Sequence, residues 1–215
     1  SSAASDVYKR QLQNEWKNDR WGILIGGRLD KHNMVDNVIF SPRANLRFNP
    51  TQNINLRLSY SSGFRAPQAF DEDMHIENVG GTVAMIERAK DLKEEKSQSF
   101  SVSADMYHRF GAFQTNLLIE GFYTRLTDVF VLGKPYDRGD GILVKTRSNG
   151  PGAKVMGLTL EGKVAYLSIL QIQAGLTLQR SRHDEPHKWH DDAPAEKKIF
   201  RTPDTYGYFL SLIHI

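Results

Sequence analysis

The chain has 215 residues, 40% of them hydrophobic, a mean hydropathy of -0.48 and a formal net charge of +3. It contains no cysteine, which excludes structural disulfides and thiolate metal sites. No run approaches about eighteen apolar residues, so no transmembrane helix is expected, and no basic stripe with interleaved aromatics points to nucleic acid.

In chain order, the opening SSAASDVYKRQ and the closing LSLIHI read as translated sequencing-library adapter. Residues 1–11 and 210–215 are therefore expected to be non-native, leaving 12–209 as a single region of a longer protein. Residues 13–17 look like the remnant of a strand, closed by a turn at Asn18-Asp19. A better strand covers 21–29, with Trp21, Ile23, Ile25 and Leu29 on one face and Arg28 on the other. After a moderate loop over 31–40, a strand over 41–49 sets Ala44, Leu46 and Phe48 against Arg43, Asn45 and Arg47. The turn Asn49-Pro50-Thr51-Gln52 leads into the next, where Ile54, Leu56, Leu58 and Tyr60 oppose Asn55, Arg57, Ser59 and Ser61. Side chains of a strand point alternately to opposite faces, so each segment has one apolar and one polar face.

The connection over 63–96 is roughly thirty-four residues long, far beyond a hairpin loop. Its AMIERAKDLKEE stretch within 83–95 has helical composition and predicts one or two helical turns. Strands follow at 97–108 and 113–126, the latter with Leu118 and Phe122 as apolar exceptions on its polar parity. A second long loop spans 127–152. Strands at 154–166 and 170–182 are joined by a short apolar turn. A third, charged loop over 183–203 precedes a last strand from about Thr205. Nine strands are predicted.

Their connections run short, moderate, short, long, short, long, short, long. An up-and-down barrel in an outer membrane keeps short turns on the periplasmic side and long loops outside. A soluble sandwich has no reason to hold that order, and several strands are long enough to cross a bilayer with tilt. The expected fold is all-β: an antiparallel transmembrane barrel of which about nine strands are present, an arc of something larger. Tyr60, Tyr123 and Tyr166 near strand ends fit aromatic girdles.

Particular stretches then carry a family likeness. NLRLSYSSGFRAPQAFDE contains a strand running into Gly63-Phe64-Arg65-Ala66-Pro67. EKSQSFSVSADMY, EGFYTRLTDVF, NGPGAKVMGLTLEGKV and RTPDTYGYF follow in order. With these the chain resembles the β-barrel of a TonB-dependent outer-membrane receptor of the siderophore, colicin and cobalamin group. The resemblance implies a Gram-negative outer membrane, a barrel of about 22 strands with a plugged lumen, and uptake of a large scarce ligand. A ferric chelate is the leading choice. It also implies a TonB energy-coupling complex as partner, reached through a plug domain absent from these residues, and surrounding outer-membrane lipid.

The polar parity carries Arg43, Arg47, Arg57, Asp105, Glu120, Glu161 and Lys163. Of these, Arg57, Asp105, Glu120 and Glu161, with Arg65 at a strand exit, are the candidates for ligand or plug contact. Solvation of a water-filled lumen explains the same charges, and a purely structural reading has Pro67 end the ladder while Arg65 pairs with a lumen carboxylate. His183, His187 and His190 lie among carboxylates, but Pro186 argues against a helix that would gather them, so no metal site or cofactor is expected. No serine–base constellation, phosphate loop or dinucleotide fingerprint is present, so no enzyme is expected. The rival readings are a passive porin, an outer-membrane barrel enzyme and a soluble β-sandwich binding module.

Overall fold

The computed structural model describes residues 7–32, 35, 37–67, 84–139, 143–167, 169–187, 194–199 and 202–213. Nine long strands form a continuous antiparallel wall: β1 (Val7–Lys17), β2 (Trp21–His32), β3 (Ile39–Thr51), β4 (Ile54–Arg65), β6 (Glu95–Phe110), β7 (Phe113–Thr127), β11 (Ala153–Tyr166), β12 (Leu170–His187) and β14 (Thr205–Ile213). Each pairs with its predecessor in the wall, and the short β13 (Glu196–Lys198) joins the upper part of β12. All nine predicted strands are present. Residues 7–11 and 210–213 are paired within β1 and β14.

Alternation fixes which face each residue takes, because a one-residue slip would turn every side chain over. One face carries Trp21, Ile23, Ile25, Leu56, Leu58, Val102, Leu158, Leu160, Leu176 and Leu178, all exposed. In β6 the first nine residues alternate in exposure, with Phe100 and Val102 on the open side and the serines half-buried. Among the described residues only Val35, Ile39, Ala66, Val144 and Ala153 are buried apolar side chains. A sandwich would bury the apolar faces of its strands against one another; this wall turns them outward, as a barrel does toward lipid.

Aromatic rings bound the apolar band. Near the short turns, Trp21 stacks on Phe48 with centroids 4.2 Å apart, and Phe113 meets Phe110 at 5.5 Å and Tyr166 at 4.9 Å. Toward the long connections Tyr60 meets Phe100 at 4.7 Å, and Tyr123 stands opposite Phe100 on β7. Phe113 and Tyr123 are ten positions apart on one strand, about 33 Å of extended chain. With a strand tilt of about 40° this gives about 25 Å of height, the thickness of an outer-membrane apolar band.

The long connections are not unstructured. β5 (Ala84–Arg88), β8 (Val129–Leu132), β9 (Tyr136–Asp137) and β10 (Leu143–Gly150) build a second, four-stranded sheet at that end of the wall. The helical expectation for 83–95 is corrected here: residues 84–88 run parallel to β10, from Ala84 opposite Leu143 to Arg88 opposite Arg147. Helix-favouring side chains yield because a partner strand takes their backbone groups, a tertiary gain larger than a few tenths of a kcal/mol of propensity per residue. The second and third loops likewise contribute β8–β10, the upper end of β12 and β13.

Candidate functional site: the lumen face and the outer mouth

The face opposite the apolar band is polar in continuous rows. One row runs Arg47, Arg57, Ser103, Glu120, Thr159, Thr177 across successive strands; its neighbour runs Asn55, Asp105, Leu118, Glu161, Gly175. The register thus brings Arg57 and Glu120 into one row and Asp105 and Glu161 into the next. Ser103 separates the first pair and Leu118 the second, so neither is in direct strand-to-strand contact. Arg57 Nε donates to Asn55 Oδ1 at 2.6 Å, and Asn55 Nδ2 donates to Asn49 Oδ1 at 2.6 Å. Asp105 accepts from the Tyr107 hydroxyl at 2.9 Å and from the Asn116 amide. These groups form a hydrogen-bonded polar lining near the short-turn end. Higher up, Thr159 and Thr177 hydroxyls bond at 3.1 Å, and Ser99 and Thr124 hydroxyls at 3.0 Å.

The apolar exception Phe122 has a packing reason. Its ring lies over Gly157, where an added Cβ would sit 2.6 Å from Phe122 Cζ and from the Leu178 carbonyl oxygen. Tyr208 covers Gly175 in the same way, with Cε1 nearest the would-be Cβ, and its hydroxyl accepts from Gln173 at 2.8 Å. A ring over a strand glycine replaces the missing side chain's packing. The structure gives no comparable account of Leu118.

At the outer mouth the strand exit at Arg65 is tied down. Arg65 Nη2 meets Glu95 Oε2 at 3.2 Å, its guanidinium lies 4.9 Å from the Phe130 ring centroid, and the same Glu95 oxygen accepts the Phe130 N–H at 3.0 Å. Asn149 joins both long connections: it accepts the Lys93 N–H at 2.7 Å and donates to the carbonyls of Lys93 at 3.0 Å and Asp128 at 2.8 Å. Asp128 takes a left-handed φ of 54° where β7 turns into β8. Sequence reasoning missed Asn149, whose only visible signal was its place in an Asn-Gly-Pro-Gly turn cluster.

Between β8, β10 and β12 these contacts leave a cleft of about 340 Å³, lined by Arg65, Phe130, Arg147, His183 and Glu185 among others. Arg147 is buried, and the cleft is partly open to solvent. His183 lies on it; the side chain of His187 and the whole of His190 fall outside the described residues. Among the described residues no group of three or more His, Cys, Asp or Glu stands close enough to hold a metal ion.

A polar lining, an outward apolar band of bilayer height and long connections folded at one end define an outer-membrane barrel wall. A family model described as "TonB dependent receptor-like, beta-barrel" matches residues 11–212. The chain belongs to the TonB-dependent receptor β-barrel family. This receptor barrel resides in the outer membrane of Gram-negative bacteria. Its family comprises receptors and transporters rather than enzymes. Among solved structures, it is similar to the siderophore receptor PirA of Pseudomonas aeruginosa: 17% identity, TM-score 0.68, covering 84% of this chain and 35% of that one. The FrpB iron transporter of Neisseria meningitidis matches at 17% identity and a TM-score of 0.61, over 82% of this chain and 26% of that one. The copper transporter OprC matches at 13% identity and 0.57, over 82% and 29%. No curated protein sequence matches the receptor chain. It thus spans between a quarter and about a third of the length of these structures. At such identities the likeness is one of fold.

Proposed function

We propose that this chain is wall and outer mouth of a receptor that takes up a ferric chelate, most plainly an iron–siderophore complex, with energy supplied through a TonB complex and a plug domain. The observation that carries the reading is the cleft at the outer mouth, where the Arg65 guanidinium lies over the Phe130 ring and Arg147 lines the same space. Cations beside an aromatic face suit an anionic chelate with flat donor groups. PirA and FrpB, described as a siderophore receptor and an iron transporter, support iron over copper as cargo. In this reading Arg57, Asp105, Glu120 and Glu161 on the lumen rows contact the plug through ion pairs and hydrogen bonds, while Arg65 and Arg147 face the ligand. Recognition is non-covalent, and no residue is assigned a catalytic role.

The test is a tryptophan-quenching titration of the purified full-length receptor with ferric catecholate, ferric hydroxamate, ferric citrate, haem, cobalamin and a copper salt. Saturable binding of one ferric chelate, absent for the iron-free chelator, is expected. Its uptake by cells should stop when the proton-motive force is dissipated. Binding of copper or cobalamin with no ferric chelate bound would remove the iron assignment. Uptake that persists without the proton-motive force would remove TonB coupling and return the passive porin.

A further inference from the structure

Phe130, the ring of the outer cleft, rides on a projecting arm. Leu126 pairs with Ala153 at the outer end of the wall, and Val129 pairs with Gly150 in the small sheet. Each strand has moved on by three residues between those two rungs, so the β7–β11 ladder continues into β8–β10 in the same register. The ladder lapses only at 127–128 opposite 151–152. There Asp128 takes its left-handed φ, and Pro151 has no N–H to give. The arm that carries Phe130 is thus the outer end of a wall hairpin, set beyond a break in its own ladder.

One rung of this arm, Phe130 opposite Asn149, meets the chain entering β6 on both of its strands. Asn149 bonds to the backbone of Lys93, and the Phe130 N–H donates to Glu95. Glu95 is also the partner of Arg65 at the last rung between β4 and β6. A single carboxylate oxygen, Oε2, therefore accepts from the Arg65 guanidinium and from the backbone that carries the ring beside it. The Glu95 side chain is only 15% exposed and is not among the residues lining the cleft. It reaches the cleft through Arg65 and Phe130.

Among the described residues Arg65 makes no other hydrogen bond, so the remaining N–H groups of its planar fork are left for an anion. Without Glu95, a long side chain and a projecting arm would both have to be ordered as the ligand arrives, and that ordering costs affinity.

We propose that Glu95 is a positioning residue for the outer-mouth cleft, holding the Arg65 guanidinium over the Phe130 ring before an anionic chelate arrives. The inference rests on the chelate reading given above, and it adds a residue that the ligand does not touch.

The test joins two measurements on the full-length receptor. One is the quenching titration with a ferric tris-catecholate and ferric citrate as probes. The other is hydrogen exchange at the Phe130 amide, which needs no ligand. Glu95→Ala is expected to weaken binding of the probe about tenfold, as though the stacked pair were formed about a tenth of the time, and to speed exchange at Phe130. Glu95→Gln keeps an acceptor oxygen and should recover most of both. In an Arg65→Ala background, Glu95→Ala should cost less than about twofold, because its effect passes through Arg65. The control is Glu94→Ala: that side chain is 13% exposed but meets Lys96, and its loss should change neither readout. Heat-modifiable gel migration reports folding. Should Glu95→Ala not fold, Glu95→Asp replaces it, and its shorter side chain is expected to weaken binding in the same Arg65-dependent way. Unchanged affinity in the folded variant, or the same loss with and without Arg65, would overturn the proposal. Unchanged exchange at Phe130 would overturn it without reference to any ligand. A wild type that binds neither probe while exchange still responds would remove the chelate reading and leave Glu95 a structural clip.

Discussion

The wall and the small sheet above it are both β-structure, yet they are held by different means. In the wall, registers run unbroken for nine to fifteen residues apart from a shift in β3–β4 between Phe48 and Thr51, and the stabilising surface is a band of apolar side chains turned outward. The small sheet of β5, β8, β9 and β10 has ladders of two to five pairs and depends on individual polar contacts, with Asn149, Glu95 and the backbone of Lys93 at their centre. The wall therefore owes its form to a solvent, the bilayer, acting on every second residue. The outer sheet owes its form to a few side chains that no periodicity announces. That difference suits a rigid wall carrying a mouth shaped for a particular ligand.

The comparison breaks most readily at the middle of the wall. Leu176→Arg, on the outward face opposite Leu160, should cost about 2–4 kcal/mol at bilayer mid-height. Gln171→Arg on the lumen face, whose side chain makes no hydrogen bond among the described residues, should cost under about 1 kcal/mol, since an arginine there reaches water. Denaturant unfolding of the full-length receptor in phospholipid vesicles reads both, and equal penalties would contradict the two-faced wall. Thr177 is not a neutral control, because it is buried and bonded to Thr159.

A somewhat smaller effect is expected at Gly157. Gly157→Val places a side chain against the Leu178 carbonyl and the Phe122 ring, at a cost of about 1–3 kcal/mol. Adding Phe122→Ala should recover part of it, the sign of coupling expected if the ring covers the glycine.

Asn149→Ala sharpens the comparison from the other side. It strips partners from Lys93 and Asp128 and should cost about 2 kcal/mol of local stability. Hydrogen exchange at the Lys93 amide should speed up while wall amides stay unchanged. A wall that loosened equally would show the two sheets to be one cooperative unit. The smallest effect is expected at Arg65→Ala. Its partner pair is half-exposed, so the change should cost about 1 kcal/mol or less. Its clearer readout is ligand affinity in the quenching titration.

How much of this was legible follows the same division. The nine wall strands and both faces were readable because alternation is a local record of a two-sided environment. Arg57, Asp105, Glu120 and Glu161 fell on the lumen face for that reason, although which of them meets a plug is not written in parity. The strand at 84–88 was not readable, since AMIER favours a helix until β10 lies beside it. The Arg65–Glu95–Phe130 contact joins residues thirty and thirty-five positions apart. It depends on the β4–β6 register, which an aligned hydrophobic pattern hints at and coordinates fix.

The central claim is that alternate residues of one strand see lipid and water. Because this chain has no cysteine, single cysteines placed along β12 of the full-length receptor in vesicles, in a background free of others, report it directly with a membrane-impermeant maleimide. Labelling at Gln171, Gln173 and Gln179 with protection at Ile172, Ala174, Leu176 and Leu178 is the expected result. Uniform labelling along the strand, or protection on the opposite parity, would contradict the account.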